Sequence, residues 1–217
     1  EPHVTVESEA VHATPHWSYA GATGPDHWGE LGPAFASCSL GQAQSPIDLV
    51  DAQPAALAPV DFRYGEVALR MHNNGHSIQV ECGGTSAIEL DGRRYALSQF
   101  HFHAPSEHTV AGRYYDMEAH LVHVGAGGEL AVVGVFMQGG RHHAGLAALW
   151  QHLPRHEGES YTSEEIVVRP DVLLPANRRV YRYEGSLTTP PCSEGVHWIV
   201  LAEPIEISPD QLAAFRA

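Results

Sequence analysis

At Ile78–Cys82, Gln99–His103 and Glu118–His120 side chains alternate in character, the two-residue period of strands whose two faces meet different surroundings. Phe100 and Phe102 alternate with His101 and His103, so one face of that stretch suits a core and the other carries two imidazoles. Ile78, Val80 and Cys82 share one apolar face in the same way. Residues 88 to 97 read as a hairpin, because Asp91-Gly92 readily supplies the positive φ angles of a two-residue turn, and it leads straight into the His101 strand. Leu130 to Met137 is a continuous apolar run, too short to span a bilayer and therefore a buried strand. Helical spacing appears at Leu146, Leu149, Trp150 and Leu153, ended by Pro154. Ser208-Pro209-Asp210-Gln211 opens another helix with a capping box and a proline at its first position. Many strands, few helices and frequent Gly and Pro predict a large, mainly β (α+β) fold.

A chain of 217 residues, 43% hydrophobic, fits one domain with a substantial core, and no internal boundary is expected. The formal charge is −14, and all 12 basic residues are arginine. That balance argues against nucleic acid or an anionic membrane as partners. No secretory leader is visible; a mature chain beginning at Glu1 would have lost one. Three cysteines, Cys38, Cys82 and Cys192, allow three single-bridge pairings, among which the residues alone do not choose.

With 16 histidines, one His-x-His pair is expected about once by chance, so the pattern gains meaning only from its surroundings. His101 and His103 point to one strand face, and a neighbouring strand can bring His120 alongside them, which makes three nitrogens for one zinc ion. Gln99 and Glu118 each stand two residues from a ligand, placed to accept the imidazole N–H that does not face the metal. A zinc held by three protein ligands keeps a fourth position for water, the arrangement of a catalytic rather than a structural site.

The run QFHFHAPSEH at 99–108, MEAHLVH at 117–123, NNGHSIQVE at 73–81, QSPIDL at 44–49 and GSLTTPPCSEGVHW at 185–198 resemble the α-class carbonic anhydrases, in that family's order, from Trp17 to about Phe215. The PSEH continuation and the cysteine after the double proline are most similar to bacterial members. The resemblance implies a mostly antiparallel, twisted central sheet of about ten strands with short surface helices. It implies reversible hydration of CO2 to bicarbonate and a proton by attack of zinc-bound hydroxide, with weak ester hydrolysis and sulfonamide inhibition. It assigns Zn2+ to His101, His103 and His120, and orientation of the nucleophile to Thr188 and Glu107. It places CO2 beside Val122, Val132, Leu187, Val196 and Trp198, with the Thr188 backbone and Thr189 nearby. It gives proton export to His76, with Tyr19, Asn74, Gln79 and Thr189 ordering the intervening water. It pairs Cys38 with Cys192 and leaves Cys82 a free, buried thiol; such a bridge implies the periplasm or secretion. The likeness to bacterial members implies a monomer or homodimer. The family's usual Asn-Arg-Pro strand is absent from 1–217. In the family that strand orients the second zinc histidine, here His103, so an unpaired sheet edge, weaker zinc retention and reduced stability are expected for a molecule ending at Ala217. Residues 1–16 are expected to be an extended N-terminal segment.

The other histidines carry no catalytic expectation. His3, His12 and His16 lie in the polar N-terminal segment, and His142-His143 in an exposed turn. His123 falls on the strand face opposite His120, which favours packing or a hydrogen bond; the pattern does not place His108. Two other readings fit some of the residues. His101-x-His103 followed by Glu107 matches part of a cupin iron or manganese motif, although Tyr95 and Tyr114 stand where that motif expects glycine. A non-catalytic binding module on a carbonic anhydrase-like fold is the second.

Overall fold

A computed structural model describes residues 15–216. Of the expected N-terminal segment only Pro15 and the exposed His16 fall within that range; His3 and His12 lie outside it. Ten strands form one sheet: β1 Asp61–Arg63, β2 Val67–Asn73, β3 Ile78–Glu81, β4 Ala87–Leu90, β5 Arg93–His103, β6 Met117–Gly125, β7 Leu130–Gly139, β8 Ser160–Val168, β9 Val180–Ser186 and β10 Glu194–Ile207. The main path runs β8-β2-β3-β5-β6-β7-β10-β9, and β1 joins β5 through β4. All pairings are antiparallel except β7 with β10. No further strand lines the outer edge of β9 among the described residues.

The turn chemistry falls where the residues put it. Asp91 and Gly92 both have positive φ, 49° and 77°, and join β4 to β5 in register. A 3-10 turn at Ala144–Leu146 leads into α2 (Ala147–Gln151), with Leu146 and Leu149 buried; this helix stops one turn earlier than its apolar spacing suggested. At α3 (Pro209–Arg216) the capping box closes both ways: Gln211 N–H donates to Ser208 Oγ at 3.2 Å, and Ser208 N–H to Gln211 Oε1 at 3.2 Å. Residues 21–40 hold three 3-10 turns and the short α1 (Ser37–Leu40), none of which shows in the apolar pattern.

Period-two alternation sorts the sheet into two faces with separate cores. Phe100, Phe102, Ala119, Leu121, Val133, Val135, Ile199 and Leu201 belong to the larger cluster. Val132, Phe136, Val196, Trp198 and Val200 belong to a smaller one on the opposite face. Burying one such large side chain contributes about 1.5–3 kcal/mol, so a register slip in the central strands would forfeit many such contributions and turn His101 into the core. Gly134 interrupts the apolar run of β7 for a steric reason: it lies opposite His120, and a Cβ there would sit 3.0 Å from Glu118 Oε1.

Candidate metal centre

The register of β5 and β6 sets His101 opposite His120 and His103 opposite Glu118. Two of the three imidazoles have one nitrogen already occupied. Nδ1 of His101 meets Gln99 Oε1 at 2.7 Å, and Nε2 of His120 meets Glu118 Oε1 at 2.9 Å. Those oxygens accept, so the facing nitrogens carry N–H and the others keep a free lone pair. Nδ1 of His103 faces Glu107 Oε1 at 3.4 Å, while its Nε2 is buried without a hydrogen-bond partner. Ring centroids are 4.9, 5.4 and 4.5 Å apart, and one ligand nitrogen from each residue fits within 4.8 Å of the others. An unpartnered buried nitrogen is costly unless something is bound to it, and three converging lone pairs suit a zinc ion.

Burial holds the pKa of His101 down to about 3 and that of His103 well below its ordinary value, so both are neutral, as ligation requires. Burial also opposes charge on His120, but Glu118 and Glu107 outweigh it and raise its pKa. Glu107 is pushed up to about 7 by burial, against His120 and the Thr188 hydroxyl; its Oε2 has no hydrogen-bond partner. Glu107 is not among the three residues whose ligand atoms converge, which removes the carboxylate that a cupin site would use. The sheet is likewise not a cupin barrel.

Val122, Val132, Leu187, Val196 and Trp198 all fall in the smaller cluster, and the Trp198 ring lies 4.9 Å from that of His120. They make an apolar wall beside the imidazoles. Thr188 and Thr189 sit in the turn between β9 and β10, held by Leu187 N–H to the Ser193 carbonyl and by Cys192 N–H to the Thr189 carbonyl, each 2.9 Å. The Cys38–Cys192 disulfide is formed, and Cys82 is free and buried, its thiol pushed up to about 12 by desolvation.

His76 lies half-buried and stacked on Trp17, ring centroids 3.6 Å apart, with Tyr19 edge-on at 6.1 Å. Burial lowers its pKa, and Glu157 partly offsets that. Asn74 and Gln79 have protein partners: Asn74 Oδ1 accepts the N–H groups of His76 and Ser77, and Gln79 donates to Glu81 at 2.6 Å. His123 is fully buried, with Nδ1 against the Ala131 carbonyl and Nε2 against the Tyr64 hydroxyl. His142 is exposed, but His143 is half-buried, contrary to the exposed turn expected for both, because Gln211 clamps its backbone from α3.

The sequence pattern left His108 unplaced and did not single out Tyr183 or Ser45. His108 is fully buried, with Nδ1 at 2.7 Å from Glu118 Oε1 and Nε2 at 2.7 Å from the Tyr183 hydroxyl, which in turn reaches Ser45 Oγ at 2.8 Å. No signal in the sequence would have found this, because nothing local links residue 45 to strand β9.

A family model described as eukaryotic-type carbonic anhydrase matches residues 23–217. A carbonic anhydrase of Nostoc sp. is 44% identical over 97% of this chain and 81% of its own length. One from Klebsiella pneumoniae is 44% identical over 92% and 82%. The solved α-carbonic anhydrase of Thermovibrio ammonificans, in complex with the inhibitor sulfanilamide, superposes with a TM-score of 0.91 at 48% identity, covering 94% of this chain and 91% of that one. On fold, motif and overall likeness, the chain belongs to the α-type carbonic anhydrase family.

Proposed function

We propose that this chain catalyses the reversible hydration of CO2 at a Zn2+ ion held by His101, His103 and His120. The observation that carries the assignment is the buried, unpartnered Nε2 of His103 facing the free nitrogens of its two neighbours. Zinc in such a setting acidifies a bound water, the chemistry for which carbonic anhydrases themselves are the type example. Gln99 and Glu118 hold the first and third imidazoles in the tautomers that ligation needs. The Thr188 hydroxyl, beside Glu107, orients the attacking oxygen, and the Thr188 N–H takes a substrate oxygen. Val122, Val132, Leu187, Val196 and Trp198 receive the small apolar substrate and keep bulk water from its carbon. His76 passes the product proton outward, with Tyr19, Asn74, Gln79 and Thr189 ordering the water along the way.

The Cys38–Cys192 bridge supports residence in an oxidising compartment, the periplasm or the cell exterior. No helix among the described residues is long and apolar enough to cross a membrane. The inhibitor seen in the Thermovibrio ammonificans relative makes a primary sulfonamide the natural probe here. Stopped-flow CO2 hydration on metal-analysed protein is the test: about one zinc per chain, with hydration lost on chelation and on sulfonamide binding, is expected. Metal-free protein that hydrates CO2 as fast as the zinc-loaded form would overturn the proposal, and zinc-loaded protein without activity would favour a binding module.

A further inference from the structure

The hydroxyl oxygen of Ser45 is approached from two directions. The Tyr183 hydroxyl lies 2.8 Å from it, and the backbone N–H of Ser186 donates to it at 3.0 Å. From Tyr183 an unbroken hydrogen-bonded path continues through His108 (2.7 Å) and Glu118 (2.7 Å) to His120 (2.9 Å). His108 and Glu118 are fully buried, and each of their side-chain polar atoms has a protein partner. On the other side, Ser186 lies two residues before Thr188; its Oγ accepts the Ser45 N–H at 2.8 Å and donates to the Leu187 carbonyl at 2.8 Å. Gly185 makes this approach possible, since a Cβ there would collide with Ser45 Oγ. Ser45 is in turn held from outside: Glu194 Oε1 accepts from Ala43 N–H at 2.6 Å and Gln44 Nε2 at 3.1 Å, and Gln44 also donates to the carbonyl of the bridged Cys192.

We propose that Ser45 is a positioning residue for both halves of the site: its hydroxyl aligns His120 through Tyr183, His108 and Glu118, and fixes the strand end that carries Thr188 through Ser186. For His120 this rests on the metal site proposed above. A ligand imidazole is oriented by whatever its other nitrogen binds, and a buried polar chain is only as fixed as its outermost member. Ser45 is that member, and its hydroxyl oxygen lies within hydrogen-bonding distance of both the metal side and the substrate side.

The two arms are separable by substitution. Tyr183→Phe cuts only the metal side and should speed zinc release to a chelator by about threefold to tenfold, less than the ~10–100-fold cost of removing a direct partner. Ser186→Ala keeps the backbone N–H to Ser45 but removes the hydroxyl that joins the Ser45 N–H to the Leu187 carbonyl, so it loosens the Thr188 side and should lower kcat/KM while zinc release stays at the wild-type rate. Ser45→Ala should do both. Gly185→Ala, whose Cβ would press on the Ser45 hydroxyl and also on the Tyr183 and Trp198 rings, should speed zinc release and lower kcat/KM together; where Ser45→Ala fails to fold, Tyr183→Phe carries the test. The 15N resonances of the His108 and His120 side chains, read in the metal-free protein, should shift in Tyr183→Phe and Ser45→Ala and remain in place in Ser186→Ala. That readout needs no zinc, so a chain that never binds the metal would defeat the proposed function and still leave the positioning chain judged. Wild-type zinc release in Ser45→Ala or Gly185→Ala, or imidazole resonances indifferent to Tyr183→Phe, would overturn the inference.

Discussion

One carboxylate oxygen, Oε1 of Glu118, stands 2.9 Å from Nε2 of His120 and so fixes which nitrogen of that imidazole is left to bind a metal. Burial pushes the Glu118 carboxyl up, but His120 and the His108 ring outweigh it and hold its pKa well below the usual range. The second oxygen accepts the backbone N–H groups of Glu107 and His108, each at 2.9 Å, so the backbone and the His108 ring share in holding the carboxylate against the ligand. Position 134 is glycine so that this carboxylate has room.

Replacing Glu118 with Gln keeps the volume but swaps one acceptor oxygen for a donor. Zinc affinity should fall by about 10–100-fold. Chelator competition measures it, and an unchanged affinity would show that the carboxylate does not orient His120.

His76 is the one proposed participant that stands away from the buried cluster, at a turn stacked on Trp17. His76→Ala should lower kcat in weakly buffered solution by roughly tenfold to 100-fold, at or just below the lower end of what a positioned proton carrier supplies, with kcat/KM unchanged. Added imidazole should restore kcat. Full turnover in the variant without rescue would remove His76 from the pathway.

How far the residues alone reached depended on whether an interaction was local. Alternation placed Phe100 against His101 on opposite faces, Asp91-Gly92 marked its turn, and Ser208 with Gln211 marked a helix start, because each rests on neighbours in sequence. The partners of His101 and His120 were visible for the same reason, two residues away. The path from His108 to Tyr183 and Ser45 was not, because it joins positions 75 and then 138 residues apart. Nor does period two foretell that β7 and β10 run parallel; that follows from the crossover between them. His143 was misjudged because what buries it is Gln211, from a helix 68 residues further on.

The Cys38–Cys192 bridge spans 154 residues and ties α1 to the turn that carries Thr188. A Cys38→Ser, Cys192→Ser double variant should lose about 2–5 kcal/mol of stability, the usual range for removing a native bridge. Cys82 is buried with its thiol pushed up to about 12, so it offers no thiolate to re-pair with. The urea midpoint of the wild type under strong reductant should therefore approach that of the double variant. Coincident midpoints with and without the bridge would mean that the native contacts around residues 43–45 and 194 suffice on their own.

His123 makes acid stability a readout of the opposite face of the sheet. Burial lowers its pKa from 6.5 to about 4, and the hydrogen bonds to Ala131 and within β6 only partly resist that. The imidazole is neutral when folded and takes a proton more readily when unfolded, so the unfolded state binds more protons as pH falls from 6.5 to about 4. Its contribution is fully present above pH 6.5, declines through that window and levels off below it, a change of about 3 kcal/mol for a shift of this size. Other buried groups titrate on the way to acid, so the comparison that isolates His123 is with His123→Gln, which keeps a polar side chain but cannot titrate. Urea unfolding at intervals from pH 7 to 4.5 should give a shallower decline for the variant, although its stability at pH 7 will be lower for the disturbed Tyr64 contact. Parallel curves for the two proteins would place the acid sensitivity elsewhere, in the imidazoles of the metal-facing side.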